Sequence, residues 1–243
     1  MGMEVNIIYN EDCLVGLKRI PDKSIDFIIT SPPYNKCDNG GKLVKRIEYD
    51  NYEDNMDECE YQEWQLEVLR ELHRILKDDG HFFYNHKNRY INGMQISPLE
   101  WITRSDFIVR QEIVWDRVIA GNIRGWRFWQ VDERLYWLQK NVAKQKEIPN
   151  SIASLSNIWR IPPEKKKNTN HPCAFPIRLV ERCLSVEEDL KDKIVLDPFM
   201  GSGTTAIAAL KSKMCYIGYE LSQEYIDIAQ KRIKAQIAQL TLF

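Results

Sequence analysis

The run Lys193-Ile194-Val195-Leu196-Asp197-Pro198-Phe199-Met200-Gly201-Ser202-Gly203-Thr204-Thr205 changes character at Asp197. After Lys193 its residues are apolar and few, which reads as a short buried strand. Pro198 cannot continue a ladder, and Gly201 and Gly203 let the backbone turn and approach a ligand before a helix runs on through Leu210. Gly201-x-Gly203-x-x-Ala206 is the G-x-G-x-x-A form of the nucleotide fingerprint. Met214 to Glu220 then reads as a second strand ending in an acid, 19 positions after Gly201, close to the roughly 20 expected for a carboxylate that meets ribose hydroxyls. A phosphate loop would need Gly-Lys-Ser/Thr, which the chain lacks here. Strand, glycine corner, helix and acid-tipped strand together point to an α/β fold with a parallel sheet.

A comparable break lies near the other end of the chain. Ile25 to Thr30 is a short, β-branched strand that stops at Ser31-Pro32-Pro33-Tyr34. Two prolines withhold two N–H donors, so the Ser31 and Pro32 carbonyls are left to face a cleft beyond the strand's carboxyl end. Tyr34 sets a flat aromatic face beside them. Such a turn suits a planar heterocycle whose amino group must donate hydrogen bonds, although Pro-Pro alone reads equally as an ordinary loop.

Taken together, Ser31-Pro32-Pro33-Tyr34 and Asp197 to Thr205 resemble the amino-methylating DNA methyltransferases, in the permuted order that places the catalytic motif before the cofactor motif. The resemblance implies a single Rossmann-like methyltransferase domain over residues 1–243, with a mainly parallel, doubly wound sheet, helices on both faces and a small target-recognition insertion. It implies S-adenosylmethionine as cofactor and double-stranded DNA as partner, and it leaves a homodimer and a cognate restriction endonuclease open. Ser31, Pro32, Pro33 and Tyr34 would hold the flipped base. Asp12 and Cys13 would meet the cofactor's adenine, with an ordinary helix N-cap as the competing reading of Asp12. His171 and Phe175, in His171-Pro172-Cys173-Ala174-Phe175-Pro176, would lie at the methionine end with Asp197, Phe199, Gly201, Ser202, Gly203, Thr204 and Thr205. Glu220 would bind the ribose. Serine at the head of the tetrapeptide, preceded by Ile-Thr, looks most like the cytosine-N4 branch, with adenine N6 as the alternative.

Charge is segregated along the chain. Residues 117–167 carry 11 basic and 4 acidic side chains, a net +7 in a protein whose total is −1. One face meeting phosphates would produce this pattern, and so would a merely solvated face. Arg117, Arg124, Arg127, Lys165, Lys166 and Lys167 are the candidate DNA contacts, with Trp126, Phe128 and Trp129 interleaved. The stretch 117–170 is read as the DNA-contacting and target-recognition region, its reader confined to Gln139 to Asn170.

The six cysteines form no C-x-x-C pair, which argues against zinc and against a disulfide framework. Cys173 follows a proline, as the nucleophile of cytosine-carbon methyltransferases does, but its His-Pro-x-x-Phe-Pro setting favours a packing role. With 243 residues, 44% hydrophobic and 28% charged, an ordinary globular chain is expected. No apolar run approaches the roughly 20 residues that span a bilayer and no signal peptide opens the chain, so a cytoplasmic protein with no membrane partner is expected.

Hydrophobic periodicity predicts strands over Val5–Tyr9, His81–Asn85, Phe107–Trp115 and Val131–Leu138. Helices are predicted over Leu14–Ile20, Tyr61–Lys77 (stopped by Asp78-Asp79-Gly80), Ser97–Arg104, Ile177 to Leu184 or beyond, and Ser222–Leu240. Asn35 to Glu60, polar and containing Gly40-Gly41, reads as a long mobile loop that orders on DNA. A nicotinamide-dependent oxidoreductase on the same fingerprint would need more chain after the glycine corner than Thr204 to Phe243. A non-catalytic DNA-binding module that keeps the cofactor fold stays a rival, as do RNA and protein-amide substrates.

Overall fold

A computed structural model of the chain describes residues 3–35, 56–119, 125–164 and 176–240. Its centre is an eight-stranded sheet in the order β1-β10-β9-β2-β3-β7-β6-β8. The strands are β1 (Ile7–Tyr9), β2 (Ile25–Thr30), β3 (Leu76–His86), β6 (Ile108–Asp116), β7 (Asp132–Gln139), β8 (Ile158–Arg160), β9 (Ile194–Asp197) and β10 (Cys215–Tyr219). Only β7 runs against its neighbours, so the sheet is mainly parallel.

Strand residues alternate between two cores because successive side chains leave opposite faces. Phe27, Ile29, Phe83, Val195 and Trp137 enter one core, against helices α5 (Ile177–Leu184) and α6 (Thr204–Lys211) and against Ile233 of α7 (Gln223–Leu240). Ile28, Phe82, Tyr84, Leu196 and Tyr136 enter the other, against α1 (Cys13–Leu17), α2 (Glu58–Ile75) and α3 (Leu99–Ile102). Helices thus cover both faces, as the strand–helix rhythm predicts. Each fully buried side chain of this size contributes about 1.5–3 kcal/mol by leaving water.

The helix expected over Tyr61–Lys77 ends sooner, at Ile75, and Asp78-Asp79-Gly80 lie inside β3 rather than between two elements. The register explains the difference: Ile25 pairs with Leu76 but Phe27 pairs with His81, so β3 carries extra residues opposite Asp26. Lys77 Nζ reaches Asp26 Oδ1 at 2.6 Å, and a Cβ on Gly80 would stand 2.9 Å from the Asp26 carbonyl oxygen, so only glycine fits. Ser97 and Glu100 cap α3 reciprocally, Glu100 Oε1 accepting from Ser97 N and Ser97 Oγ from Leu99 N. A hairpin of β4 (Arg89–Ile91) and β5 (Met94–Ile96) was not anticipated above. Its signal was present in Asn92-Gly93, whose φ values of 50° and 80° are those of a type I′ turn. An edge strand, β8, also forms within the expected reader region, with α4 (Asn150–Ala153) before it.

Among the described residues no helix is long and apolar enough to cross a membrane, and no cluster of His, Cys, Asp and Glu could hold a metal ion. Residues 36–55 of the expected mobile loop lie outside the described residues. Their flanks are joined, since Asn35 Nδ2 donates to Met56 O at 2.9 Å and Met56 N donates to Asn35 Oδ1 at 2.7 Å.

His81 offers a test of the core. It is 3% exposed between Phe27 and Trp137, and burial pushes its imidazole down to about 3 from 6.5. Glu187 Oε1 is 3.3 Å away, but a neutral ring makes no ion pair, and Glu187 is instead held by Lys146 and Lys193. Because the folded state refuses a proton that the unfolded chain accepts, stability falls as pH drops from about 6.5 towards 3, by up to about 1.4 kcal/mol per unit. His81→Phe is expected to flatten the denaturation midpoint between pH 7 and pH 5 relative to wild type; an unchanged slope would mean that His81 is protonated when folded.

Candidate active site

β2 and β9 are adjacent and parallel, with Phe27 opposite Val195 and Ile28 opposite Leu196. Thr30 and Asp197, each the last residue of its strand, therefore emerge side by side at the carboxyl edge. Chain connections leave this point in opposite directions, β2 to β3 one way and β9 to β10 the other, which makes the crevice between them the switch point where ligands bind in open α/β sheets. Thr30 Oγ1 donates to Asp197 Oδ1 at 2.7 Å and joins the two motifs directly.

Asp197 is 1% exposed. Besides Thr30, Thr205 Oγ1 donates to its Oδ2 at 2.7 Å and Phe199 N to its Oδ1 at 3.1 Å. Burial outweighs these bonds and pushes the carboxyl up to about 6. A buried carboxylate held this far above its ordinary range is stabilised by any cation brought to it. Gly201 and Gly203 adopt φ of 51° and 82°, and a Cβ on Gly203 would sit 2.8 Å from that of Ala229, so the corner requires glycine for both conformation and space. Arg232 of α7 braces it: its NH1 donates to Ser202 O at 2.5 Å and to Ser202 Oγ at 2.9 Å, and lies 3.4 Å from Thr204 Oγ1. The side chains of Ser202, Thr204 and Thr205 are thus engaged in holding the corner. Nothing local in the sequence singled out Arg232.

Glu220 follows β10, with Gly201 N donating to Oε2 and Ser222 N to Oε1, both at 2.9 Å. Burial raises its carboxyl above the usual range, and each oxygen retains lone-pair capacity for a further donor. Asp12 lies at the same edge, because β1 pairs with β10 and Glu220 N donates to Tyr9 O. Its Oδ1 accepts from Leu14 N at 2.7 Å, so Asp12 is an N-cap. Cys13 is buried in the core and burial raises its thiol. The Phe199 ring packs on Trp64 at 5.6 Å.

The tetrapeptide is anchored from beneath. Trp101 Nε1 donates to Tyr84 OH, Tyr84 OH to Gln65 Oε1, Gln65 Nε2 to Tyr61 OH, and Tyr61 OH to the Pro33 carbonyl at 2.7 Å. Among the described residues no group donates to the Pro32 carbonyl. Tyr34 is 8% exposed, its ring 4.5 Å from that of His86. Its hydroxyl lies 2.7 Å from Ser31 Oγ, 2.9 Å from Asn85 Oδ1 and 3.0 Å from Glu133 Oε2.

The family model described as DNA methylase, covering N6 and N4 methyltransferases, matches residues 25–231, which includes both motifs. The chain belongs to this amino-methylating DNA methylase family. It is similar to the type II methyltransferase M.HinfI of Haemophilus influenzae, at 30% identity over 95% of this chain and 68% of the relative. The DNA adenine methyltransferase YhdJ of Escherichia coli is 27% identical over 96% of this chain and 84% of its own length. Among solved structures, the cytosine-N4-specific PvuII DNA methyltransferase superposes with a TM-score of 0.74 at 23% identity, covering 92% of this chain and 84% of that one. An M1.HpyAVI–SAM complex superposes at 0.63 and 26% identity, over 93% and 98%.

The methylase's expected DNA contacts are dispersed. Arg117 NH1 donates to Glu133 Oε1 at 2.7 Å, behind Tyr34. Arg127 lies over the Tyr90 ring at 4.2 Å, beside exposed Trp126, Phe128 and Trp129. Because β7 runs antiparallel, Lys140, Lys144 and Lys146 sit at the edge away from the tetrapeptide, Lys140 on Asp78 and Lys146 on Asp79 and Glu187. Arg134 and Arg160 pair with Glu112, Asp132 and Asp116. The positive charge concentrated in the sequence is therefore partly neutralised by folding. Arg124, Lys165, Lys166, Lys167, His171, Cys173 and Phe175 lie outside the described residues.

Proposed function

We propose that this methyltransferase moves a methyl group from S-adenosylmethionine to N4 of a cytosine flipped out of double-stranded DNA at a specific sequence. The reading is carried by the Thr30–Asp197 hydrogen bond, which sets the acceptor turn at Ser31-Pro32 against the glycine corner. The cofactor, when bound, supplies an electrophilic methyl group on a sulfonium. Asp197 would receive its ammonium group, Glu220 and Asp12 would hold its nucleoside half, and Phe199 would present an aromatic face to the cation.

The amino nitrogen of cytosine is a poor nucleophile because its lone pair is delocalised into the ring. Ser31 Oγ and the Pro32 carbonyl accept hydrogen bonds from its two N–H groups and hold it out of plane, so that the lone pair is available for in-line attack. The new N–C bond replaces the methyl group's bond to sulfur, which leaves as a neutral thioether, and one N–H proton of the methylated amino group is then lost to solvent. Tyr34, fixed at its hydroxyl, provides the aromatic wall for the base. Arg124, Arg127 and Lys165 to Lys167 supply phosphate contacts, while Arg117 is committed to Glu133.

Similarity to an adenine methyltransferase keeps adenine N6 as the second reading. Incubation of unmodified DNA with labelled S-adenosylmethionine, followed by digestion to nucleosides, is expected to give N4-methylcytosine. Label in N6-methyladenine would replace the first reading by the second, and no transfer to DNA would sink both.

A further inference from the structure

We infer that Glu133, held by Arg117, is a positioning residue that fixes the direction of the Ser31 hydroxyl and makes it an obligate acceptor towards the substrate amino group. The inference rests on the amino-transfer reading above and adds a part of the machinery that neither motif contains.

Among the described residues the Tyr34 hydroxyl oxygen has three polar neighbours, Ser31 Oγ at 2.7 Å, Asn85 Oδ1 at 2.9 Å and Glu133 Oε2 at 3.0 Å, and a phenol has one proton to give. Asn85 turns its oxygen to Tyr34 because its Nδ2 donates to the Arg134 carbonyl at 3.1 Å. Glu133 is 7% exposed, with Arg117 NH1 on its other oxygen at 2.7 Å, and a carboxylate paired with a guanidinium only accepts. Both neighbours therefore compete for the phenol proton. Ser31 is left as the donor to the Tyr34 oxygen, with its own hydrogen directed inward. Its lone pairs are what remain for the cleft. A serine free to rotate would present its hydrogen to the substrate nitrogen part of the time and cancel the pull that frees the lone pair.

Glu133→Gln tests this with minimal change of shape. Arg117 keeps the amide oxygen, so the amide nitrogen faces Tyr34 and donates where a carboxylate accepted. Asn85 Oδ1 is then the one acceptor left among these neighbours to compete with Ser31 for the phenol proton, so the Ser31 hydroxyl turns its hydrogen to the cleft for part of the time. Single-turnover transfer to DNA is expected to slow about threefold or more, with cofactor Kd and thermal midpoint near wild type. Tyr34→Phe, which removes the acceptor from Ser31 by another route, should show a similar loss. In a Ser31→Ala background Glu133→Gln should add nothing, because Glu133 acts through that hydroxyl. An unchanged Glu133→Gln rate, or losses that multiply with Ser31→Ala, would overturn the inference and leave the amino-transfer reading standing. If Ser31→Ala itself transfers at the wild-type rate, the acceptor role of Ser31 fails, and both readings fall together.

Discussion

Ser31→Ala is expected to lower the turnover of methyl transfer by about a hundredfold while cofactor affinity stays within about twofold. Ser31 lies beyond the end of β2, on the side of the crevice proposed for the substrate, and its Oγ bonds Tyr34 rather than any group of the glycine corner. Removing it deletes one of the two acceptors proposed for the amino group and leaves the Thr30–Asp197 bond in place. Single-turnover rates with saturating DNA, beside calorimetric titration of the cofactor, separate the two quantities. A loss of cofactor binding matching the loss of rate would place Ser31 on the wrong side of the site.

Asp197→Ala should have the opposite profile, raising the cofactor Kd by about three orders of magnitude, the scale on which a buried cation loses its carboxylate partner. It also strips the acceptor from Thr30, Thr205 and the Phe199 N–H, so the corner loses its tie to β2. The pH dependence gives an independent check. In the free protein burial holds Asp197 at about 6, whereas a bound ammonium requires the carboxylate. Kd is therefore expected to rise by up to about tenfold per pH unit below 6, because binding must displace a proton. Asp197→Asn should bind weakly without that slope. Undiminished binding by Asp197→Ala would defeat the assignment. The same elevation means that folding takes up a proton between about 6 and 3.8, so Asp197 favours the folded state as pH falls through that window, against the trend set by His81.

Much of the fold was legible where a strand is short, rich in β-branched residues and ended by residues that cannot continue it. Ile25–Thr30 and Ile177–Leu184 match the predicted spans. Boundaries failed where a long-range contact outweighed a local stop signal, as at Asp78-Asp79-Gly80, which the bulge opposite Asp26 draws into β3. The hairpin at Asn92-Gly93 carried a readable turn signal. The edge strand β8 carried none, since three residues pairing with β6 have too little pattern to stand out.

By itself the sequence determined where the two corners of the candidate site lie, because proline and glycine act through their own backbones and need no neighbour to do so. It also determined the family, whose motifs are contiguous words. Only the tertiary structure decided which side chains serve those words. Asn85 and Glu133 reach Tyr34 from 51 and 99 positions away, and Arg232 reaches Ser202 from 30. The basic segment likewise lost its apparent unity when β7 ran it from one edge of the sheet to the other and set carboxylates beside it. Hydrogen bonds and ion pairs depend on distance in space, and the order of residues along the chain does not contain that distance until the sheet brings β2, β3, β7 and β9 together.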